Sequence, residues 1–360
     1  MPPVDPPHPT PPAAGQPLHT RTVAIDVALD TPGKLRAEGE ILDLRKVGVV
    51  PTGGELQTAG FIHHMQLHVW VDLESGVIER LEAHQPHVPF EATATTGGES
   101  CRDVVPRLDA LVGQSIEEAF HPTLAGCFGG PLGCSHLLTL AQAMGAMLPE
   151  VLANERRASV AAVRTPAERV AKRAIFLDGV AGEGSDMDIV IQLSDFETRP
   201  LPEVTHALER LARQREVRVV ASVDLEAMTI HTIHAWERDR TTAQLIDLGW
   251  SDRSADVAGL AGGPALRGLA AVLLKSFEGD ASAGLLLAAL LQFAPGLIQC
   301  FAARTEALLA QFSAGASKGR TVRELPRELS VGGMPDSCYM WRSGGVMSEN
   351  RTTFRNTDGD

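Results

Sequence analysis

The chain has 360 residues, 44% hydrophobic and 21% charged, with a formal net charge of −13. This composition suits a folded, soluble protein long enough for two domains, and the acidic balance argues against a nucleic-acid or anionic-membrane partner. Five scattered cysteines do not read as a disulfide framework, so a cytoplasmic location is expected.

Residues 1–20, opening MPPVDPPHPTPPAAGQP, have neither the basic start nor the apolar core of a signal peptide and read as a disordered proline-rich lead. RTVAIDVAL at 21–29 and GEILDLR at 39–45 follow as strands. HVWVDLESGVIERLEA at 68–83 reads as strand, turn and strand. Helical segments are expected near 103–120 and 133–155, then a basic linker over 156–172. A second series begins with RAIFLDGVA at 173–181, IVIQLSDFE at 189–197 and VVASVDLEAMTIHTIHA at 219–235, with helices near 255–276 and 282–313. Between its strands, EVTHALERLARQ shows a helical pattern without a counterpart in the first series. The run ASAGLLLAALLQFAPGLIQCFAA at 281–303 is long enough to cross a bilayer. Its Gln292, Pro295 and Gln299 favour a buried helix, and no membrane span is expected.

The two series are related by an offset of 152 residues, with Val-Asp-Leu-Glu identical at 71–74 and 223–226. Strands followed by helices, twice, predict an α+β fold: two tandem copies of a small antiparallel sheet covered by helices, packed as a pseudo-dimer. The copies are expected over 21–155 and 173–313, with the tail 314–360 crossing back to the first through the polar SAGASKGR. Polar chemistry is confined to the first copy. At the offset of 152, His63 and His64 fall on Arg215 and Glu216; with three residues dropped before the helices, Cys134 falls on Ala283 and His136 on Leu285. Groups that the second copy dispenses with are not needed to build the fold, which points to a site.

CFGGPLGCSHLLTLAQ, at 127–142, places Cys134 after a glycine turn at a helix start, where free N–H groups and the helix dipole favour a thiolate, with Ser135 as the cap. Cys134 and His136 are the catalytic candidates. With Cys101, Cys338 and His63 they form a mixed sulfur and nitrogen set of the kind that zinc or an iron–sulfur cluster takes. The metal-free alternative is a cysteine enzyme on an acyl or thioester-like substrate, with a histidine base and an acid such as Asp103. The third is a binding module, for a small molecule or a partner protein, in which cysteines only pack. Cys127 and Cys300 read as packing.

Several elements together resemble a bacterial family, the one called domain of unknown function 2889. They are the Arg-Thr opening at 21–22, ILDLR, HHMQLHVWVD with its His63, SCRDVVPRLDALVGQSI, GGPLGCSHLLTL and, in the tail, PDSCYMWRSGG. The resemblance covers about 20–155 and the tail, and the family name implies no activity. A weaker likeness is to iron–sulfur cluster scaffold proteins, which order a polar ligand, a strand, a cysteine and a later cysteine at a helix start in the same way.

Overall fold

The structure is a computed structural model and describes residues 15–157, 164–182, 186–241, 249–310 and 328–355. Alternation of apolar and polar residues sets the strands. In β1 (Pro17–Thr31), Val23, Ile25 and Val27 are buried and the residues between them partly exposed. Gly33, at a φ of +81°, turns the chain into β2 (Lys34–Arg45). A small hairpin of β3 (Val50–Thr52) and β4 (Glu55–Gln57) leads to β5 (Gly60–Asp72) and β6 (Ile78–His87). The helices α1 (Phe120–Phe128) and α2 (Ser135–Arg157) follow. The second series runs through β7 (Arg169–Ala181), β8 (Asp186–Thr198), β9 (Leu211–Asp224), β10 (Thr229–Arg240) and the short β11 (Ser251–Asp252). It ends in α3 (Ser254–Val257), α4 (Leu269–Ser276), α5 (Gly284–Leu290) and α6 (Phe293–Ala303). In the tail, β12 (Glu328–Val331) pairs with β13 (Thr352–Arg355).

The first four long strands form the antiparallel meander β1-β2-β5-β6, and the second series forms β7-β8-β9-β10. The meanders meet along β1 and β7, antiparallel, with Val23 opposite Ile175. The α+β class therefore holds, but there is one nine-stranded sheet, β11-β10-β9-β8-β7-β1-β2-β5-β6, in place of two small ones. Pairing β1 with β7 removes the free strand edge that each meander would otherwise expose.

Helices cover the sheet: α2 lies on β2 and β5, α6 on β1, β2, β7 and β8, and α5 on β8 and β9. Leu137, Leu140, Ala141, Met144, Leu148, Val151 and Leu152 give α2 its buried stripe. Glycines in the sheet permit close approach. A Cβ at Gly39 would stand 2.8 Å from Met144 Sδ, and one at Gly179 would stand 2.2 Å from Cys300 Sγ.

Three expectations are revised. EVTHALERLARQ forms only a 3₁₀ turn over Ala207–Arg210, and β9 begins at Leu211. Its apparent helical period arose because Arg213 and Arg215, which form ion pairs with Glu150, Asp239 and Asp195, occupy positions where alternation would put apolar residues. The apolar run 281–303 is divided into α5 and α6, which lie on the sheet with Leu286, Ala289, Leu297 and Cys300 buried. The linker expected over 156–172 is shorter, because α2 continues to Arg157 and β7 starts at Arg169. SAGASKGR lies outside the described residues.

The described part of the tail packs on the first half of the chain. Tyr339 N–H donates to the Gly133 carbonyl at 2.8 Å. Trp341 meets Phe90 edge-on at 5.7 Å between ring centres, and Arg342 pairs with Glu99.

Candidate functional site

Strand register assembles the site. Residues two apart on a strand face the same side, so His19 and Arg21 of β1 and Asp43 and Arg45 of β2 all turn inward and are buried. Arg21 lies directly opposite Asp43, and Asp43 opposite His63 of β5, so Arg, Asp and His form one row across three strands. Two helices close over it. The first turn of α2 supplies His136, and α6 supplies Gln299.

Asp43 is the hub and is fully buried. Arg21 holds it in a fork, Nε to Oδ1 at 2.8 Å and Nη2 to Oδ2 at 2.9 Å. His19 Nε2 lies 2.9 Å from Oδ1. On the other side, His63 Nδ1 stands 3.2 Å and His136 Nε2 3.3 Å from Oδ2. His63 Nδ1 meets Asp43 Oδ2 without the alignment of a hydrogen bond, so this buried nitrogen has no hydrogen-bond partner. The two imidazoles stack, 3.5 Å between centres. Gln299 Nε2 is 3.3 Å from His136 Nε2, and Ser135 Oγ is 3.4 Å from His136 Nδ1.

Burial would raise the pKa of Asp43, but the Arg21 charge and the contacts from His19 and His63 outweigh it and hold the carboxyl well below its usual range. Burial pushes His19, His63 and His136 down against the pull of Asp43, so all three imidazoles are neutral at pH 7. Arg45 is lowered to about 10 by burial, with Asp43 opposing. It has no ion pair among the described residues: Nη1 reaches the Gln57 carbonyl at 3.5 Å and Nε has no partner.

The cluster forms part of the wall of a cavity of about 1050 Å³. Arg21, Arg45, His63 and His136 line it, and so do Cys101, Cys134 and Cys338. The five residues singled out in the sequence therefore share one cavity, to which the tail contributes Cys338. Two groups of potential ligand atoms lie within 4.8 Å of one another among the described residues: Asp43, His63 and His136, and, on the outer face of β5 and β6, His68, Glu82 and His84. The thiols belong to neither group.

The cysteines differ from expectation in their chemistry. The Cys134 carbonyl accepts from Leu138 N–H at 2.9 Å, so Cys134, not Ser135, is the capping residue of α2. Backbone N–H groups of Leu137 and His136 favour the thiolate as expected, but burial outweighs them and pushes the thiol up to about 11. Burial also raises Cys101 and Cys338. These thiols are protonated at neutral pH. Asp103 is exposed and accepts from Ser100 N–H at 2.9 Å. Cys300 packs beneath Gly179, and Cys127 donates weakly to the Leu124 carbonyl.

Sequence reasoning missed His19, Arg21, Arg45 and Gln299, and Asp43 figured in it only as part of ILDLR. The available signal was a second row. Arg173 lies opposite Asp195 and Asp195 opposite Arg215, each 152 residues beyond Arg21, Asp43 and His63. There Arg173 forks Asp195 at 2.7 Å, and Arg215, in the place of His63, pairs with both Asp195 and Glu150. An acid kept with its arginine in both rows, beside a histidine in only one, marks the first row as different.

No curated protein and no solved structure matches the chain. A family model matches residues 19–148, a segment that holds every member of the cluster except Gln299. The model is that of the family described as Protein of unknown function (DUF2889), and residues 19–148 of the chain are similar to it.

Proposed function

We propose that Asp43, His63 and His136 hold a single metal ion at the polar end of the cavity, and that the site acts on a small molecule admitted there. The observation that carries this reading is the orphaned His63 Nδ1. It stands beside Asp43 Oδ2 and His136 Nε2, at spacings suited to ligands of one ion, without forming a hydrogen bond. The donors fit. A carboxylate kept ionised and two imidazoles kept neutral are the protonation states a metal requires. Arg21 and His19 fix the carboxylate from behind, as outer partners of a ligand do. Two nitrogens and one oxygen suit zinc or ferrous iron better than a cluster held by thiolates. Such an ion would polarise a substrate oxygen or acidify a bound water. The protein itself supplies the apolar wall that keeps bulk water away and three protonated thiols beside the site.

A second reading is favoured by the Arg21 fork, which occupies both oxygens of Asp43. Asp43 would then orient His63 as a general base without metal, and an acyl or thioester-like substrate would meet Cys134. In either reading the second half is a degenerate copy whose row, with Arg215 in place of His63, is a structural ion pair.

Cobalt(II) added to chelator-treated protein separates the two. The metal reading predicts visible d–d absorption at one equivalent, lost in His63→Ala and His136→Ala and kept in His84→Ala, which alters only the outer group. Absorption that survives both inner substitutions, or no binding at all by folded protein, supports the metal-free reading.

A further inference from the structure

We propose that the cavity binds an elongated apolar molecule that ends in a carboxylate, with the carboxylate at Arg45 and the apolar body against the helices of the second half. This inference shares the cavity with the proposed function but does not depend on the metal.

Two observations carry it. The first is Arg45, a cavity-lining guanidinium only 2% exposed, with an unpartnered Nε and one long bond to a carbonyl. The acid that acts on it, Asp43, is already held in the fork of Arg21. Two guanidiniums therefore share one carboxylate, leaving one buried positive charge uncompensated. Burying an unpaired charge is costly. A carboxylate ligand removes that cost and gains a charge-assisted bond. In the second half an acid, Glu197, stands 152 residues beyond Arg45.

The second observation is the size and lining of the space. At about 1050 Å³ it lies at the top of the range usual for small-molecule sites. Leu269 and Leu273 of α4, Leu290 of α5, and Leu291, Ala294 and Ile298 beyond it contribute its apolar wall. These positions belong to the half that lacks the histidines. The second half thus supplies the greasy wall for a site whose polar groups lie in the first.

The test uses a dansylated undecanoic acid and its methyl ester, titrated into full-length protein with and without chelator and followed by the blue shift of dansyl emission. The acid is expected to bind at least about tenfold more tightly than the ester, the equivalent of one charge-assisted bond. Arg45→Met should bring the acid down to the affinity of the ester and leave the ester unchanged, while Arg45→Lys should keep part of the preference. Ala294→Trp, which fills the apolar end, should weaken both. Equal affinities of acid and ester for the wild-type protein would overturn the proposal, as would no binding of either. Binding of the acid that persists in chelator while cobalt fails to bind would leave this inference standing and refute the metal reading.

Discussion

Asp43→Asn and Asp195→Asn remove the same charge from two equivalent rows, and they should separate stability from function. Arg21 is 2% exposed and forks Asp43, and Arg173 is 4% exposed and forks Asp195. Breaking a buried pair by neutralising one partner costs about 3–5 kcal/mol, mostly from the charge left behind. Asp43→Asn leaves both Arg21 and Arg45 without an anion and should fall at the upper end. Asp195→Asn leaves Arg215 its bond to Glu150 at 2.7 Å and should fall at the lower end. At about 2–4 °C per kcal/mol, melting should drop by roughly 6–20 °C across the two variants. Adding Arg21→Met to Asp43→Asn removes one orphaned charge and should recover at least about 1 kcal/mol. Thermal unfolding followed by circular dichroism measures all four proteins, and metal content of the folded fraction measures function. Asp43→Asn should lose both stability and metal, Asp195→Asn only stability. Equal metal loss in both, or a double variant less stable than Asp43→Asn, would refute the assignment of different roles to the two rows.

Other outcomes follow from particular contacts. Cys134→Ala should fold, since it removes one small buried sulfur at a cost of about 1–2 kcal/mol, and circular dichroism with melting would show it. Cys134 in native protein should react with a thiol reagent at pH 7 about a hundredfold or more slowly than a free thiol, and its labelling should rise as pH approaches its raised value of about 11. The sign for stability is fixed. The neutral thiol favoured by the fold contributes fully below the unfolded pKa of about 8.5 and is lost as pH rises through the folded value, so alkaline melting should fall more in wild type than in Cys134→Ala. Gly179→Ala forces a methyl against Cys300 Sγ and the sheet beneath α6, and urea unfolding should register a loss of about 1–3 kcal/mol.

Much of the architecture was legible because strands such as β1, β2 and β5 alternate apolar and polar residues. β5 and β6 emerged from HVWVDLESGVIERLEA, and α2 from the stripe after GCSHLLTL. The joining of β1 to β7 was not legible, since edge pairing leaves no local mark on composition. β9 was obscured because its inward arginines look polar in sequence and are paired only in space. At the site, His63 and His136 stood out because the second series lacks them. Asp43 passed as part of an acidic strand because its partners, Arg21 and His19, lie on the neighbouring strand and were visible only through register. Gln299 reaches His136 from the other half of the chain, a contact no local pattern encodes. The cysteines drew attention by residue type, whereas burial, which decides their protonation, is a property of the packed fold.

The most direct test of the central claim is the metal content of untagged, full-length protein, measured by plasma mass spectrometry beside His63→Ala and His136→Ala after equal exposure to zinc or to ferrous iron under anaerobic conditions. The account predicts about one equivalent of one of these metals in the wild-type protein and near none in either variant, with circular dichroism unchanged. Wild-type protein that is folded yet takes up neither metal, or variants that retain a full equivalent, would contradict it.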